Sequence, residues 1–108
     1  MLSNRVKVAA VSLLLGSAVF PGLVIAAGDP EAGAEKITTC VVCHDAEGKA
    51  TAPIYPSLAG QSATYLESSL KAYRDGLRGG GMSAVMTPQA TNLSDEDIAD
   101  IAAYYSQQ

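Results

Sequence analysis

The sequence predicts an all-α domain over residues 28–108, and three observations support this prediction. Asp29 before Pro30, Ser62, and Ser94 before three acidic residues each have the composition of a helix start. The second and third starts are followed by apolar side chains at helical spacing. No stretch of this part alternates between polar and apolar residues, as a half-buried strand does. The length of 108 residues allows one domain at most.

The first 27 residues have the composition of a secretory signal peptide. Two basic residues precede a nearly unbroken apolar run over residues 8–20, and the small residues Ala26-Ala27 follow. We predict cleavage after Ala27, which leaves residues 28–108 as a periplasmic domain without membrane insertion. The alternative is an uncleaved anchor over residues 8–27, which is near the minimum length that spans a bilayer but is interrupted by Pro21-Gly22.

The predicted exported domain is acidic. The whole chain has a formal net charge of −4, and loss of residues 1–27 leaves five basic against eleven acidic residues, a charge of −6. Such a domain is poorly suited to bind nucleic acid or anionic lipid, and better suited to a partner with a basic docking surface. The alternative is that this charge only keeps a small exported protein soluble.

Both cysteines and the only histidine lie within the five residues Cys40-Val41-Val42-Cys43-His44. C-x-x-C-H is the attachment site of a c-type haem, in which two thiols form thioethers and the adjacent imidazole binds the iron axially. Three alternatives are weaker. A disulfide over so short a loop constrains the unfolded chain little, a thioredoxin-like redox pair needs a βαβ pattern, and a zinc site needs four ligands. The motif therefore predicts one covalently bound haem c.

The first predicted helix begins at Pro30, with Asp29 as its N-cap, and runs to about Thr39. Gly33 and Ile37 lie four residues apart on one face of this helix. A small residue beside an apolar one is typical of a face that packs against another helix. The alternative is that Gly33 is only a tolerated weak point in the helix.

Residues 45–55 contain Gly48 and Pro53 and follow no helical or alternating period, so we predict an irregular loop. Twelve residues separate His44 from Pro56, which is enough chain to return beneath the histidine. A metal-bound imidazole normally donates its second N–H to a carbonyl or a carboxylate. We predict that the Pro56 carbonyl is this acceptor.

Two more helices follow. Ser62 caps a helix that runs to about Asp75 and packs against the haem edge. Its apolar face consists of Leu66, Leu70, Tyr73 and Leu77. Ser94 caps the last helix, which has an acidic residue at the capping-box position and should cross the first helix near Gly33. The apolar face of this last helix consists of Ile98, Ile101, Ala102 and Tyr105.

The chain has no second histidine, so the only neutral soft candidates for a second axial ligand are Met82 and Met86. Met82 and Met86 lie in a segment with glycines and a proline, which predicts a loop between two helices. Met86 is preferred because Pro88 stiffens the chain just after it, whereas Met82 follows three glycines and would serve as a lid. The alternative for Met86 is an ordinary core methionine. Neutral His/Met ligation raises the potential and leaves no vacant position on the iron.

With these features in place, the sequence resembles the class I c-type cytochromes of bacteria, both the small single-haem forms and the modules of the two-haem respiratory cytochromes. The residues that carry the resemblance are Gly28-Asp29-Pro30, Gly33, residues 40–44, residues 56–61, Met86 and residues 93–105. The resemblance implies a cytochrome c fold of about four short helices around one haem, with the first and last helices crossing. It also implies that Cys40 and Cys43 carry the thioethers, His44 and Met86 ligate the iron, Pro56 supports His44, and Leu58 packs on the porphyrin.

The leading functional hypothesis is a monomeric periplasmic carrier of single electrons between redox proteins, which is not itself an enzyme. The first alternative is a haem subunit held permanently by a periplasmic oxidoreductase complex. The second is a haem sensor or a peroxidase-like protein, which requires that Met86 does not bind the iron. Because residues 28–108 contain neither tryptophan nor phenylalanine, we also predict that the polypeptide without haem is largely unfolded.

Overall fold

A computed structural model describes residues 11–19, 21 and 27–108, and within these residues the chain forms five α-helices and no strand. The helices are α1 (Pro30–Lys36), α2 (Val41–His44), α3 (Ala63–Arg74), α4 (Ser83–Ala90) and α5 (Asp95–Ser106). This confirms the predicted all-α class. The sequence did not predict α4 as a helix, and α2 is a single turn that contains most of the haem motif.

Much of the predicted signal peptide, including Arg5, Lys7 and residues 22–26, lies outside the described residues. Cleavage after Ala27 therefore stays a prediction. Within the described ranges, no helix has both the length and the apolar character needed to cross a membrane.

Side-chain caps fix where α1, α3 and α5 begin, as predicted. The Asp29 carboxylate accepts a hydrogen bond from the Glu31 N–H at 2.9 Å, and the Ser62 hydroxyl accepts one from the Tyr65 N–H at 3.1 Å. Ser94 and Asp97 form a reciprocal capping box at the start of α5. These bonds satisfy N–H groups that have no partner within the helix.

The end of α1 differs from the prediction. The helix stops at Lys36 rather than near Thr39, because residues 38–40 form a turn. The Cys40 N–H closes this turn on the Ile37 carbonyl at 2.8 Å. The haem motif therefore begins on a new helical turn rather than at the end of α1.

The first and last helices cross at Gly33, as predicted. A Cβ atom at Gly33 would overlap the Asp100 carbonyl oxygen and lie 2.8 Å from the Cβ of Tyr104. Gly28 has a similar role, because its Cβ would overlap the Ala99 carbonyl. The two helices can approach this closely only where α1 has no side chain.

Gly33→Ala is therefore expected to lower the free energy of unfolding by about 1–3 kcal/mol, the usual cost of overpacking. Urea denaturation followed by circular dichroism measures this loss. Gly79→Ala is the matched control, because a Cβ at Gly79 meets nothing within 4 Å. Equal stability of G33A and G79A would contradict the close crossing.

The apolar face predicted for α5 is buried in full, since Ile98, Ile101, Ala102 and Tyr105 are each at most 3% exposed. Leu66 in α3 is buried. Leu77 is 81% exposed, so its predicted place on the apolar face of this helix is wrong. The helix ends at Arg74, before it reaches Leu77. Gly76 then turns the chain with a φ of 70°, in the left-handed region that favours glycine.

An ionic contact joins α1 to α5 beside the helix crossing. The Lys36 ammonium lies 2.7 Å from the buried Asp100 carboxylate and 3.0 Å from Asp97. Asp100 also accepts a hydrogen bond from the Asp29 N–H at 2.8 Å. The bond from Lys36, followed by that from Asp29, holds the pKa of Asp100 below its ordinary 3.8.

A carboxylate with a lowered pKa stabilises the fold above its ordinary pKa, and this stability is lost as the pH falls through the lower folded value. Asp100→Asn is expected to lower Tm at pH 7, with a difference from wild type that shrinks below about pH 4. Thermal denaturation from pH 3 to pH 8 measures it. Glu96→Gln removes the same charge from the exposed face of α5, and a loss of Tm as large as that of D100N would contradict the assignment.

The predicted loop that carries both methionines contains α4, and the expectation that Met86 lies outside a helix is wrong. Pro88 lies inside α4 and cannot donate a backbone hydrogen bond there. The Thr87 hydroxyl bonds to the Ser83 carbonyl at 3.0 Å in the same turn. Helix α4 packs against α3, and Ala90 at its end is 0% exposed. Tertiary packing thus holds this segment helical despite the proline.

Candidate haem-binding site

The only histidine is buried and held in a defined orientation. His44 is 5% exposed, and its Nδ1 lies 2.7 Å from the carbonyl oxygen of Pro56. Because a carbonyl can only accept a hydrogen bond, Nδ1 carries a proton, and in a neutral imidazole the lone pair is then on Nε2. This is the contact expected of a metal-binding imidazole, with its second nitrogen fixed by a backbone acceptor.

The loop between His44 and Pro56 is anchored by backbone hydrogen bonds. The Gly48 carbonyl accepts the N–H groups of Leu58 and Ala59 at 2.7 and 3.0 Å. The Tyr105 hydroxyl of α5 donates to the Asp45 carbonyl at 2.9 Å, which joins the start of the loop to the core. These bonds bring the loop back beneath His44, as the spacing predicted.

Both thiols are free and half-buried, three residues apart across the single turn of α2. Cys40 packs against the core formed by α3 and α5. Burial raises the pKa of the Cys40 thiol above its ordinary 9.0. A redox-active cysteine instead requires a lowered pKa, so the thioredoxin-like alternative gains no support.

A large cavity of about 690 Å³ opens beside the motif. Cys40, Cys43, His44 and Met86 line it. An adjacent cavity of about 160 Å³ is lined by Leu58 and the core face of α3. Six residues line both cavities: Cys40, His44, Pro56, Tyr73, Arg78 and Met86.

These residues fit a haem. The volume lies within the range of about 300–1,000 Å³ that is typical of cofactor and ligand pockets. Two thiols, one imidazole nitrogen and one thioether lie around a mainly apolar space, and these are the donor atoms that a His/Met c-type haem requires.

All six residues predicted from the sequence lie at this site. Five of them line the large cavity, and Leu58 lines the adjacent one. Met86 is half-buried and lines both, whereas Met82 is 50% exposed and lines only the large cavity. Their bonds to haem and iron remain predictions.

Sequence reasoning missed two side chains at the cavity, Tyr55 and Arg78. Tyr55 meets the His44 ring edge-on, with ring centroids 6.5 Å apart. Arg78, which was given no role, lines both cavities. Tyr73 also lines both, in keeping with its predicted place on the apolar face that packs against the haem edge. No local motif marks Tyr55 or Arg78, because folding alone brings them to the site.

A family model described as cytochrome c matches residues 30–108, which include every predicted site residue. The chain belongs to the cytochrome c family. It is 71% identical over 82 residues to cytochrome c-554(548) of Halomonas halodenitrificans, an alignment that covers 76% of this chain and 99% of that protein.

Larger members of the family are also similar. The chain is 47% identical over 98 residues to cytochrome c4 of Pseudomonas aeruginosa, an alignment that covers 91% of this chain and 47% of that protein. A crystal structure of reduced recombinant cytochrome c4 from Pseudomonas stutzeri superposes with a TM-score of 0.60 at 39% identity and covers 76% of this chain and 47% of the other. The chain thus spans about half the length of these cytochromes c4.

Membership of the cytochrome c family confirms the predicted cofactor and the general role. The protein binds one covalently attached haem c and transfers electrons to redox partners. When bound, the haem supplies an iron that cycles between the ferric and ferrous states. The polypeptide binds this group and presents a surface to redox partners.

Proposed function

We propose that residues 28–108 form a monomeric periplasmic carrier of single electrons, with thioethers at Cys40 and Cys43 and axial ligands from His44 and Met86. One observation carries this proposal: the two thiols, the imidazole and the Met86 thioether line a single cavity. The family match, which begins at residue 30, supports these domain limits. The 82-residue similarity to nearly all of cytochrome c-554(548) also supports them.

The proposed ligands favour electron transfer over chemistry on a bound molecule. Both are neutral, which stabilises the ferrous state relative to the ferric one, and together they leave no open position for oxygen or peroxide. The Pro56 carbonyl holds the His44 ring in one orientation through the 2.7 Å hydrogen bond. A site with this fixed geometry reorganises little when an electron arrives.

The rim of the large cavity supplies the proposed contact for redox partners. Four exposed apolar side chains line this cavity: Val42, Ile54, Met82 and Val85, with exposures of 80%, 62%, 50% and 41%. Exposed apolar clusters often mark protein contacts. No aspartate or glutamate is among the described residues that line either cavity. We propose that the acidic surface attracts basic partners over distance, while the apolar rim forms the contact.

Absorption spectra of the exported, haem-loaded protein in both oxidation states test the ligand set. We expect the far-red band of methionine-ligated ferric iron, and no rapid binding of carbon monoxide by the ferrous protein. Loss of the band together with fast carbon monoxide binding would favour the sensor or peroxidase-like alternative.

Purification from the native host tests the carrier role. A monomer free of companions in size-exclusion chromatography supports a diffusible carrier. A stoichiometric partner that stays bound in high salt supports the alternative of an oxidoreductase subunit. Subcellular fractionation, with N-terminal sequencing of the purified protein, tests the periplasmic location and cleavage after Ala27.

A further inference from the structure

Arg78 is the only residue with a permanent charge among the described residues that line the two cavities, and it lines both. Its guanidinium carbon lies 4.8 Å from the centroid of the Tyr73 ring, at cation–π distance. Three other basic residues of the described chain, Lys36, Lys71 and Arg74, each form ion pairs with carboxylates. Within the same described ranges, no carboxylate lies within 4.0 Å of Arg78.

The end of α3 sets the position of Arg78. Gly76 turns the chain with a φ of 70°, and the Leu77 N–H then bonds back to the Ala72 carbonyl at 2.8 Å. The chain therefore folds back, and the Arg78 side chain lies over Tyr73 at the cavity. Arg78 is solvent-exposed, so the guanidinium lies at the mouth of the cavity rather than in its interior.

A haem has a flat apolar body and two carboxylate groups at one edge. An apolar cavity receives the body, but the carboxylates require water or a cation. The planar guanidinium matches a carboxylate with two parallel N–H donors. We propose that Arg78 binds a haem carboxylate at the cavity mouth and raises the reduction potential. This inference rests on the proposed function, because it requires the haem to occupy this cavity.

The charge of Arg78 explains the expected effect on the potential. The ferric centre carries one more positive charge than the ferrous centre, so a nearby cation disfavours the ferric state. If the same cation also neutralises an adjacent haem carboxylate, it offsets a negative charge that would favour the ferric state. Arg78 is therefore a positioning and tuning residue, with no direct part in electron transfer.

The test compares reduction potentials of haem-loaded variants by spectroelectrochemical titration. Arg78→Gln removes the charge, Arg78→Lys keeps it without the planar fork, and Lys49→Gln removes one charge from an exposed residue that lines neither cavity. We expect R78Q to have a lower potential than wild type, R78K to recover part of the difference, and K49Q to match wild type within the error of the titration.

Equal potentials for R78Q and K49Q would overturn the proposal. Slower reduction of R78Q by a protein partner at an unchanged potential would also overturn it, since Arg78 would then be a docking residue. The spectrum of each variant separates this inference from the proposed function. A wild-type protein without haem, or without the far-red methionine band, contradicts the proposed site itself. A normal wild-type spectrum with unaltered R78Q potential contradicts only the role of Arg78.

Discussion

Replacing Cys40 and Cys43 together by alanine is expected to give an exported protein that has no covalent haem and has lost most of its helix. The two thiols are the predicted covalent attachments of the haem, and both line the large cavity. Without them, the cavity of about 690 Å³ loses the haem that we propose fills it. The surrounding helices then lack a common packing surface.

The small apolar core of the polypeptide explains why so large an effect is expected. Buried apolar residues of the described chain number eight, and three of these are the alanines Ala90, Ala102 and Ala103. Tyr105 and Ile98 are the largest side chains that are fully buried. A domain of this size has little stability beyond the entropy cost of folding, so it depends on an added group such as a cofactor.

Far-UV circular dichroism and urea denaturation of the double variant measure this loss. Val42→Ala is the control in the same helical turn, because Val42 is 80% exposed and its substitution leaves both thiols in place. We expect V42A to be coloured and to unfold cooperatively. A double variant that is colourless yet has the helix content and cooperative unfolding of V42A would show that the haem is not part of the core.

The helix starts could be predicted from sequence because a few local hydrogen bonds determine them. Asp29, Ser62 and Ser94 each bond to an N–H two or three residues ahead, so the information lies within one turn. The crossing at Gly33 was also predictable, because a residue without a side chain on an otherwise apolar face indicates close approach.

Helix α4 could not be predicted in the same way. Its N-cap, Met82, forms no side-chain capping bond, and Pro88 inside the helix is the usual sign of a break. The segment is helical because it packs against α3, which is a tertiary contact without a local pattern. Leu77 is the opposite case, in which an apolar residue continues a helical period beyond the end of the helix.

The same distinction between local sequence and tertiary contact applies to the residues of the site. Cys40, Cys43 and His44 were predictable because they are adjacent in sequence, and Pro56 because the loop length limits where the chain can return. Arg78 was not predictable, because its place at the cavity depends on the reversal at Gly76 and on the cation–π contact with Tyr73. Residues that only the tertiary fold brings to the cavity are not marked by a short sequence motif.

Met86→Leu is expected to abolish the far-red band of methionine-ligated ferric iron, whereas Met82→Leu is expected to leave it unchanged. Leucine keeps a similar volume and apolar character but has no sulfur atom, so the substitution tests ligation rather than packing. Met86 is half-buried and lines both cavities, whereas Met82 is 50% exposed at the start of α4. Both thioethers line the large cavity, but only that of Met86 is half-buried and lines both cavities.

The loss of this ligand should also change the potential and the reactivity of the protein. We expect M86L to have a lower reduction potential, by a measurable part of the roughly 0.8 V range that axial ligands span. The open position should let the ferrous form bind carbon monoxide rapidly, which wild type and M82L do not. If M82L instead loses the band while M86L keeps it, Met82 is the ligand and α4 must rearrange when haem binds, since Met82 lies at the exposed end of that helix.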